Sequence, residues 1–213
     1  MNTAQLLING KLQDATGKKT FTRINPVNNQ VATTAAAAQS ADVQAAIEAA
    51  TNAFPVWSAL SPSERRQRLL KAADLMDQRA EEFVSTVRTE TGSTDSWYYF
   101  NVHLSANILR EAAAMTTQLE GSVIPSDVPG NLAMAVRVPC GVIVGIAPWN
   151  APVILATRSI ALPLACGNTV ILKSSELCPA THALIGKVLT DAGLDDGVVN
   201  VISNAPEDAG AVV

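Results

Sequence analysis

The hydrophobic period changes several times along the chain, and each change marks an element. Over residues 5–38, short alternating stretches at Gln5 to Asn9, Phe21 to Ile24 and Val31 to Ala37 are separated by turn clusters at Asn9-Gly10, Thr16-Gly17 and Asn25-Pro26. This predicts small strands and loops forming an edge layer over residues 1–38. From Ser40 the period becomes helical, with Val43, Ala46, Ile47, Ala50 and Phe54 on one face, and Pro55 is expected to end that helix. Ser61-Pro62-Ser63-Glu64 then supplies a capping serine, a proline at the first helical position and a glutamate at the third. The helix it starts is expected to run on through Leu69, Ala73, Met76, Ala80, Phe83 and Val87. A third helix carries Trp97, Phe100, Leu104, Ile108, Ala112, Met115 and Leu119 along one face and stops at Gly121. Its cluster Trp97-Tyr98-Tyr99-Phe100 fits either core packing or the entrance for an aromatic ligand.

Residues 122–140 hold Pro125, Pro129-Gly130-Asn131 and then the alternating Leu132, Met134, Val136 and Val138, which predicts a hairpin with one face exposed or paired with another chain. Beyond it the pattern becomes strand, helix, strand, helix, strand. Gly141 to Ala147 is a continuous apolar run expected to be a buried parallel strand. Ala151 to Ala165 is a helix closed by Gly167, Thr169 to Leu172 a strand, Pro179 to Ala192 a helix closed by Gly193, and Val198 to Ile202 the last strand. Crossovers of this length make a parallel sheet, so the fold class is α/β with a Rossmann-like sheet. The implied units are residues 1–38, a helical part over 39–121, the hairpin over 122–140 and a βαβαβ part over 141–213. Ligands of such sheets bind at the carboxyl ends of the strands.

Composition narrows the function classes. A formal net charge of −4 removes the basic footprint that a nucleic-acid backbone needs, so no nucleic-acid partner is expected. No apolar run approaches a membrane-spanning length, and no secretory leader is visible at Met1-Asn2-Thr3-Ala4-Gln5, so a cytoplasmic location is the expectation. Cys140, Cys166 and Cys178 lack metal-ligand spacing, so no metal site is expected; each reads as a small buried hydrophobe rather than a nucleophile. His103 and His182 fall inside helices and read as structural or surface residues.

Two loops remain as candidate chemistry. Pro148-Trp149-Asn150 sits at the carboxyl end of the first parallel strand, where Asn150 occupies the place of a helix N-cap. No glycine lies between Gly145 and Gly167, so a dinucleotide here would bind without the usual glycine-rich phosphate turn. Lys173 and Glu176 sit at the end of the second strand, where an acidic side chain can accept hydrogen bonds from adenosine ribose hydroxyls. A carboxylate there repels a 2′-phosphate and favours NAD over NADP. The plainer reading is a solvated pair of charges.

Ile146-Ala147-Pro148-Trp149-Asn150, Leu162 to Val170 (LPLACGNTV), Lys173-Ser174-Ser175-Glu176 and Ala192-Gly193-Leu194 through Gly197 to Val201 occur in the order and spacing of the aldehyde dehydrogenase superfamily, which the chain resembles along essentially its whole length. A finer resemblance, carried by Trp149 to Leu155, Arg158, Phe100 to His103 and Arg110 to Ala112, is to vanillin and salicylaldehyde dehydrogenases. The resemblance implies that the Asn150 side chain donates to the oxyanion formed when a cysteine attacks an aldehyde, a role whose loss typically costs on the order of a hundredfold or more in rate. It implies that Ile146, Ala147, Pro148 and Trp149 line the nicotinamide half of NAD, with Lys173, Ser175 and Glu176 at the adenosine ribose. Arg158 would face the substrate tunnel, or else is a helix-surface arginine. The hairpin would be an oligomerisation arm, making a homo-oligomer the expectation for the complete enzyme. Ser174 stands where many members have proline.

The pyrophosphate turn, the general-base glutamate, the nucleophilic cysteine and the second ribose glutamate of that family have no counterpart here. The segment Pro206 to Val213 breaks off in an apparent helix start, so the sequence reads as a truncated, N-terminal, inactive portion of an enzyme for an aromatic aldehyde such as vanillin, salicylaldehyde or benzaldehyde. The alternative is a noncatalytic module for dinucleotide binding or subunit association.

Overall fold

The computed structural model describes residues 2–208. The strands are β1 (Asn2–Ala4), β2 (Leu6–Ile8), β3 (Lys11–Gln13), β4 (Thr20–Ile24), β5 (Val31–Ala36), β6 (Ser122–Ile124), β7 (Ala133–Ala135), β8 (Val142–Ile146), β9 (Thr169–Lys173) and β10 (Val199–Ile202). The helices are α1 (Ser40–Ala59), α2 (Pro62–Gln78), α3 (Ala80–Thr91), α4 (Asp95–Met115), α5 (Pro152–Ala165) and α6 (Pro179–Asp191). The central sheet has the order β3-β2-β10-β9-β8; β10, β9 and β8 are parallel, and β2 and β3 join antiparallel beside β10. The edge layer expected at the amino terminus is therefore divided. β2 and β3 extend the main sheet, while β1, β5 and β4 form a small sheet of their own.

Side-chain alternation divides the core. Val170 and Leu172 of β9 meet α2, α4, α5 and α6, whereas Ile171 faces the opposite side with Ala46, Ala49 and Ala50 of α1. Gly167 at φ +87° and Gly193 at φ +94° turn the chain out of α5 and α6, conformations that disfavour a side chain. Both stops are as the sequence predicts.

Four expectations are corrected. Pro55 does not end α1, which continues to Ala59. Fully buried Trp57 donates its indole N–H to Leu164 O at 3.2 Å and anchors the last turn, while exposed Thr51, whose carbonyl loses its helical partner to the proline, can turn to water. The second helix is two: the chain bends at Arg79 (φ −99°, ψ 19°), whose guanidinium pairs with Asp191 at 2.6 Å. α4 stops at Met115 rather than Gly121, and its packed face is Tyr98, Val102, Ser105, Ala106, Leu109 and Ala113. Close packing against α2 and α5 selects small residues, so the bulkier stripe from Trp97 to Met115 is left half-exposed; Trp97 and Phe100 stack on each other at 5.6 Å on the surface. Finally, β8 is an edge strand, and its Val144 and Ile146 are more than half exposed, lining an open groove beside α1.

The hairpin expected over residues 122–140 is present as β6 and β7, with Val123, Val128, Leu132, Met134, Val136 and Val138 all exposed. At the start of α2, Ser61 Oγ accepts from the Glu64 N–H while the Glu64 carboxylate accepts from the Ser61 N–H, the reciprocal cap read from the sequence. Ser61→Ala is expected to cost about 1 kcal/mol. A urea titration checks it, and an unchanged midpoint would show that the cap contributes nothing. Among the described residues no helix is long and apolar enough to cross a membrane, and no group of three or more metal-ligating side chains occurs. The apparent helix start near the carboxyl end is a 3-10 turn over Pro206–Asp208, and the rest of that segment lies outside the described residues.

Candidate active site

The parallel arrangement of β8 and β9 brings their carboxyl ends side by side, and the two candidate loops are joined there. Ala147 N–H donates to Lys173 O at 3.1 Å, so the turn after β8 and the turn after β9 share one backbone bond. Ala147 is buried, but Ile146, Pro148, Trp149 and Asn150 are exposed, Trp149 at 53%. Asn150 does not cap α5: the N-cap position is Ala151, which makes no side-chain cap, and Pro152 at the first helical position needs no amide partner. The carboxamide of Asn150 is thereby left on the surface at the strand end.

Lys173 is nearly buried and its ammonium lies 3.7 Å from the half-exposed Glu176 carboxylate. Between them Ser174 donates its N–H to Ile202 O at 2.8 Å, and its buried hydroxyl has no partner among the described residues. Ser175 is buried as well, and its hydroxyl accepts from the Leu177 N–H at 3.2 Å. Beside this loop an apolar groove of about 240 Å³ is lined by Val43, Ile47, Val144, Ile146 and Ile202, with Lys173 at its rim. Arg158 stands apart, two helical turns beyond Asn150. It is exposed on α5 and, with Leu162 of the same helix, borders a groove of about 480 Å³ whose other wall is Leu104, Ile108 and Met115, the half-exposed stripe of α4.

Beneath these loops lie His182, structural as the sequence reading allowed, and Glu90, which that reading missed. His182 is fully buried; its Nδ1 accepts from Ser175 N–H at 3.1 Å and its Nε2–H donates to Pro152 O at 3.1 Å. One ring proton satisfies both partners, and burial pushes the pKa down to about 4. This neutral imidazole ties the Lys173–Glu176 loop to the first residue of α5. Glu90, fully buried at the end of α3, reaches the amino terminus of α6. Its carboxylate accepts from Ala180 N–H, Thr181 N–H, Thr181 Oγ1 and Thr33 Oγ1 at 2.7 to 3.0 Å. Burial raises the Glu90 pKa, and those four bonds oppose the rise. No local pattern could have found Glu90, which is 57 to 91 residues from its partners. The Cys178-to-His182 spacing of one helical turn was a visible signal for the other, and Cys178 Sγ lies 3.6 Å from His182 Nε2.

Cys178 is buried as expected, and burial pushes its thiol well above the ordinary range. Cys140, expected to be buried, is exposed, and Cys166 is half-buried; both sit at the amino-terminal ends of β8 and β9, away from the candidate loops. His103 is exposed and contacts Asp77 at 2.8 Å.

Comparison with known proteins gives a consistent assignment. The model of the aldehyde dehydrogenase family matches residues 12–213. A vanillin dehydrogenase of Pseudomonas sp. (strain HR199 / DSM 7063) is 64% identical over 98% of this chain and 43% of its own length. The crystal structure of a salicylaldehyde dehydrogenase from Pseudomonas putida G7 complexed with salicylaldehyde superposes with a TM-score of 0.97 at 43% identity, over 100% of this chain and 44% of that one. An NAD-dependent benzaldehyde dehydrogenase from Corynebacterium glutamicum superposes at 0.93 and 34% identity, over 97% of this chain and 45% of that one. The chain thus spans less than half the length of the relatives it matches.

Proposed function

The chain belongs to the aldehyde dehydrogenase family, and from that premise we propose that it supplies the cofactor-binding and oxyanion side of an NAD-dependent oxidation of an aromatic aldehyde. The observation that carries this reading is the join between the two strand-end loops: one backbone bond holds the exposed Asn150 turn beside the Lys173–Glu176 pair. Asn150 is the oxyanion donor. Its carboxamide is not consumed as a helix cap, so one of its N–H groups is free to donate to a carbonyl oxygen that gains charge.

The residues present fit a dinucleotide. The groove lined by Val43, Ile47, Val144 and Ile146 suits a flat apolar base, and Lys173 and Glu176 at its rim suit the two hydroxyls of a ribose. Glu176 accepts from those hydroxyls, Lys173 donates to one, and Ser175 shapes the loop between them. Ile146 to Trp149 line the nicotinamide half, which when bound supplies the hydride acceptor. Arg158, at the mouth of the groove between α4 and α5, attracts a ring hydroxyl or phenolate of the substrate. Association of subunits through the exposed apolar faces of β6 and β7 belongs to the same reading.

No cysteine of this chain takes the nucleophile's part. Cys178 is buried with its thiol proton held, and Cys140 and Cys166 lie at the wrong ends of the strands. The 213-residue polypeptide by itself is therefore expected to bind NAD without turning over. Calorimetric titration should show saturable NAD binding and about tenfold or weaker NADP binding, a gap of roughly 1.4 kcal/mol that Glu176→Gln narrows. NADH formation from benzaldehyde, vanillin or salicylaldehyde above a protein-free control would refute the assignment of roles, and absence of NAD binding would leave subunit association as the better reading.

A further inference from the structure

Away from the candidate active site, the segments bearing two cysteines are neighbours at the root of the hairpin. β8 and β9 run parallel with Val142 opposite Thr169 at their amino-terminal ends, so the segments leading into them, Pro139-Cys140-Gly141 and Cys166-Gly167-Asn168, lie side by side. The bonds around them hold the two segments together: Asn168 Oδ1 accepts from Cys140 N–H at 2.7 Å and from Gly141 N–H at 3.0 Å, and Thr169 N–H donates to Gly141 O at 3.1 Å. A Cβ built on Gly167 would lie 3.7 Å from Pro139 Cγ. The short segments bearing the two cysteines are thus held against each other, the adjacency that a disulfide needs.

We propose that Cys140 and Cys166 are a redox thiol pair that closes to an intramolecular disulfide on exchange with a small disulfide such as oxidised glutathione. Exposed Cys140 reacts first. Its thiolate attacks one sulfur of the glutathione disulfide, forming a mixed disulfide and releasing one glutathione thiolate. The Cys166 thiolate then attacks the Cys140 sulfur and displaces the second glutathione. The protein loses two electrons and two thiol protons, and the glutathione disulfide gains them as two thiols. The order follows from the surroundings: burial and the neighbouring Cys140 sulfur raise the Cys166 thiol pKa, while Arg65 opposes the rise. Closing the bond fastens Pro139-Cys140-Gly141, through which the hairpin enters β8, to the end of α5.

The test is oxidation of the whole chain with glutathione disulfide followed by tryptic digestion without reductant. The expected product is the peptide Val138–Arg158 joined to Ser159–Lys173, and thiols titrated after denaturation should fall from three to one, because buried Cys178 does not react. Cys166→Ser should instead stop at glutathione held on the Cys140 peptide. Three thiols left unreacted, a stable glutathione adduct on Cys140 in the unsubstituted chain, or a covalent dimer through Cys140 would each overturn the proposal.

Discussion

Replacing Glu90 by alanine is expected to destabilise the chain by about 3–5 kcal/mol, a large part of the 5–15 kcal/mol typical of a whole domain. The reason lies in how α6 begins. Its N-cap, Cys178, offers no side-chain oxygen, and Pro179 at the first helical position has no N–H. The amides of Ala180 and Thr181 are then the orphan donors, and both are buried against α3 and β5. Glu90 reaches across and accepts from each with a separate oxygen, placing a negative charge where the helix dipole favours one. Alanine removes that acceptor and leaves a cavity. The hydroxyls of Thr33 and Thr181 can rotate to other partners, but the two amides cannot, and each unsatisfied buried donor costs about 1–3 kcal/mol. Glu90→Gln should fall between, since its one carbonyl oxygen keeps one bond while its NH₂ faces a second donor. Urea denaturation of the three proteins at neutral pH gives the ranking. A loss below about 1 kcal/mol for alanine would mean that water or backbone movement satisfies α6 instead.

The same residue shows what a linear reading reaches. The βαβαβ portion was legible because glycine stops and apolar runs are local signals: Gly167 and Gly193 sit where only a left-handed turn continues the chain, and β9 and β10 are mostly apolar. The hairpin and the Ser61 cap were legible for the same reason. The errors arose where tertiary packing chose between local options. α4 has apolar residues on two sides, and the side that packs is the one rich in alanine and serine, because helices approach closest there. An apolar run could not say whether β8 was central or at an edge, since that depends on which strand pairs with it. Pro55 should break a helix, yet Trp57 is held from outside. At the site, Asn150, Lys173 and Glu176 could be singled out by type and position, while the buried support Glu90 acts across 57 to 91 residues and leaves no local trace, and His182 is signalled only by its one-turn spacing from Cys178.

His182 leads to the second large expectation, a loss of stability as pH falls from about 7.5 to 4.5. In the folded chain Nδ1 must accept from Ser175 N–H, so protonating the ring would set two N–H groups against each other and place a charge in a fully buried site. The pKa is accordingly about 4, against the ordinary 6.5 that the unfolded chain regains. Below 6.5 the unfolded state therefore binds a proton that the folded state does not, and stability falls with pH until the folded value is reached. At pH 4.5 the deficit is about 2.5 kcal/mol. Glu90 works the other way: its raised pKa means the folded state takes up a proton first as pH falls. The clean quantity is thus the difference between the native chain and His182→Gln, in which Glu90 cancels and the amide can still bridge Ser175 and Pro152. Urea titrations of both proteins at pH 7.5 and 4.5 should show the native chain losing about 2.5 kcal/mol more than the variant; parallel losses would sink the idea. Because His182 binds the Lys173–Glu176 loop to the start of α5, the bonds that protonation breaks are those fixing the two strand-end loops. Protection factors of the amides in residues 173–178, corrected for the intrinsic exchange rate at each pH, should therefore fall in acid before those in β10 do, with the loops opening while the sheet remains paired.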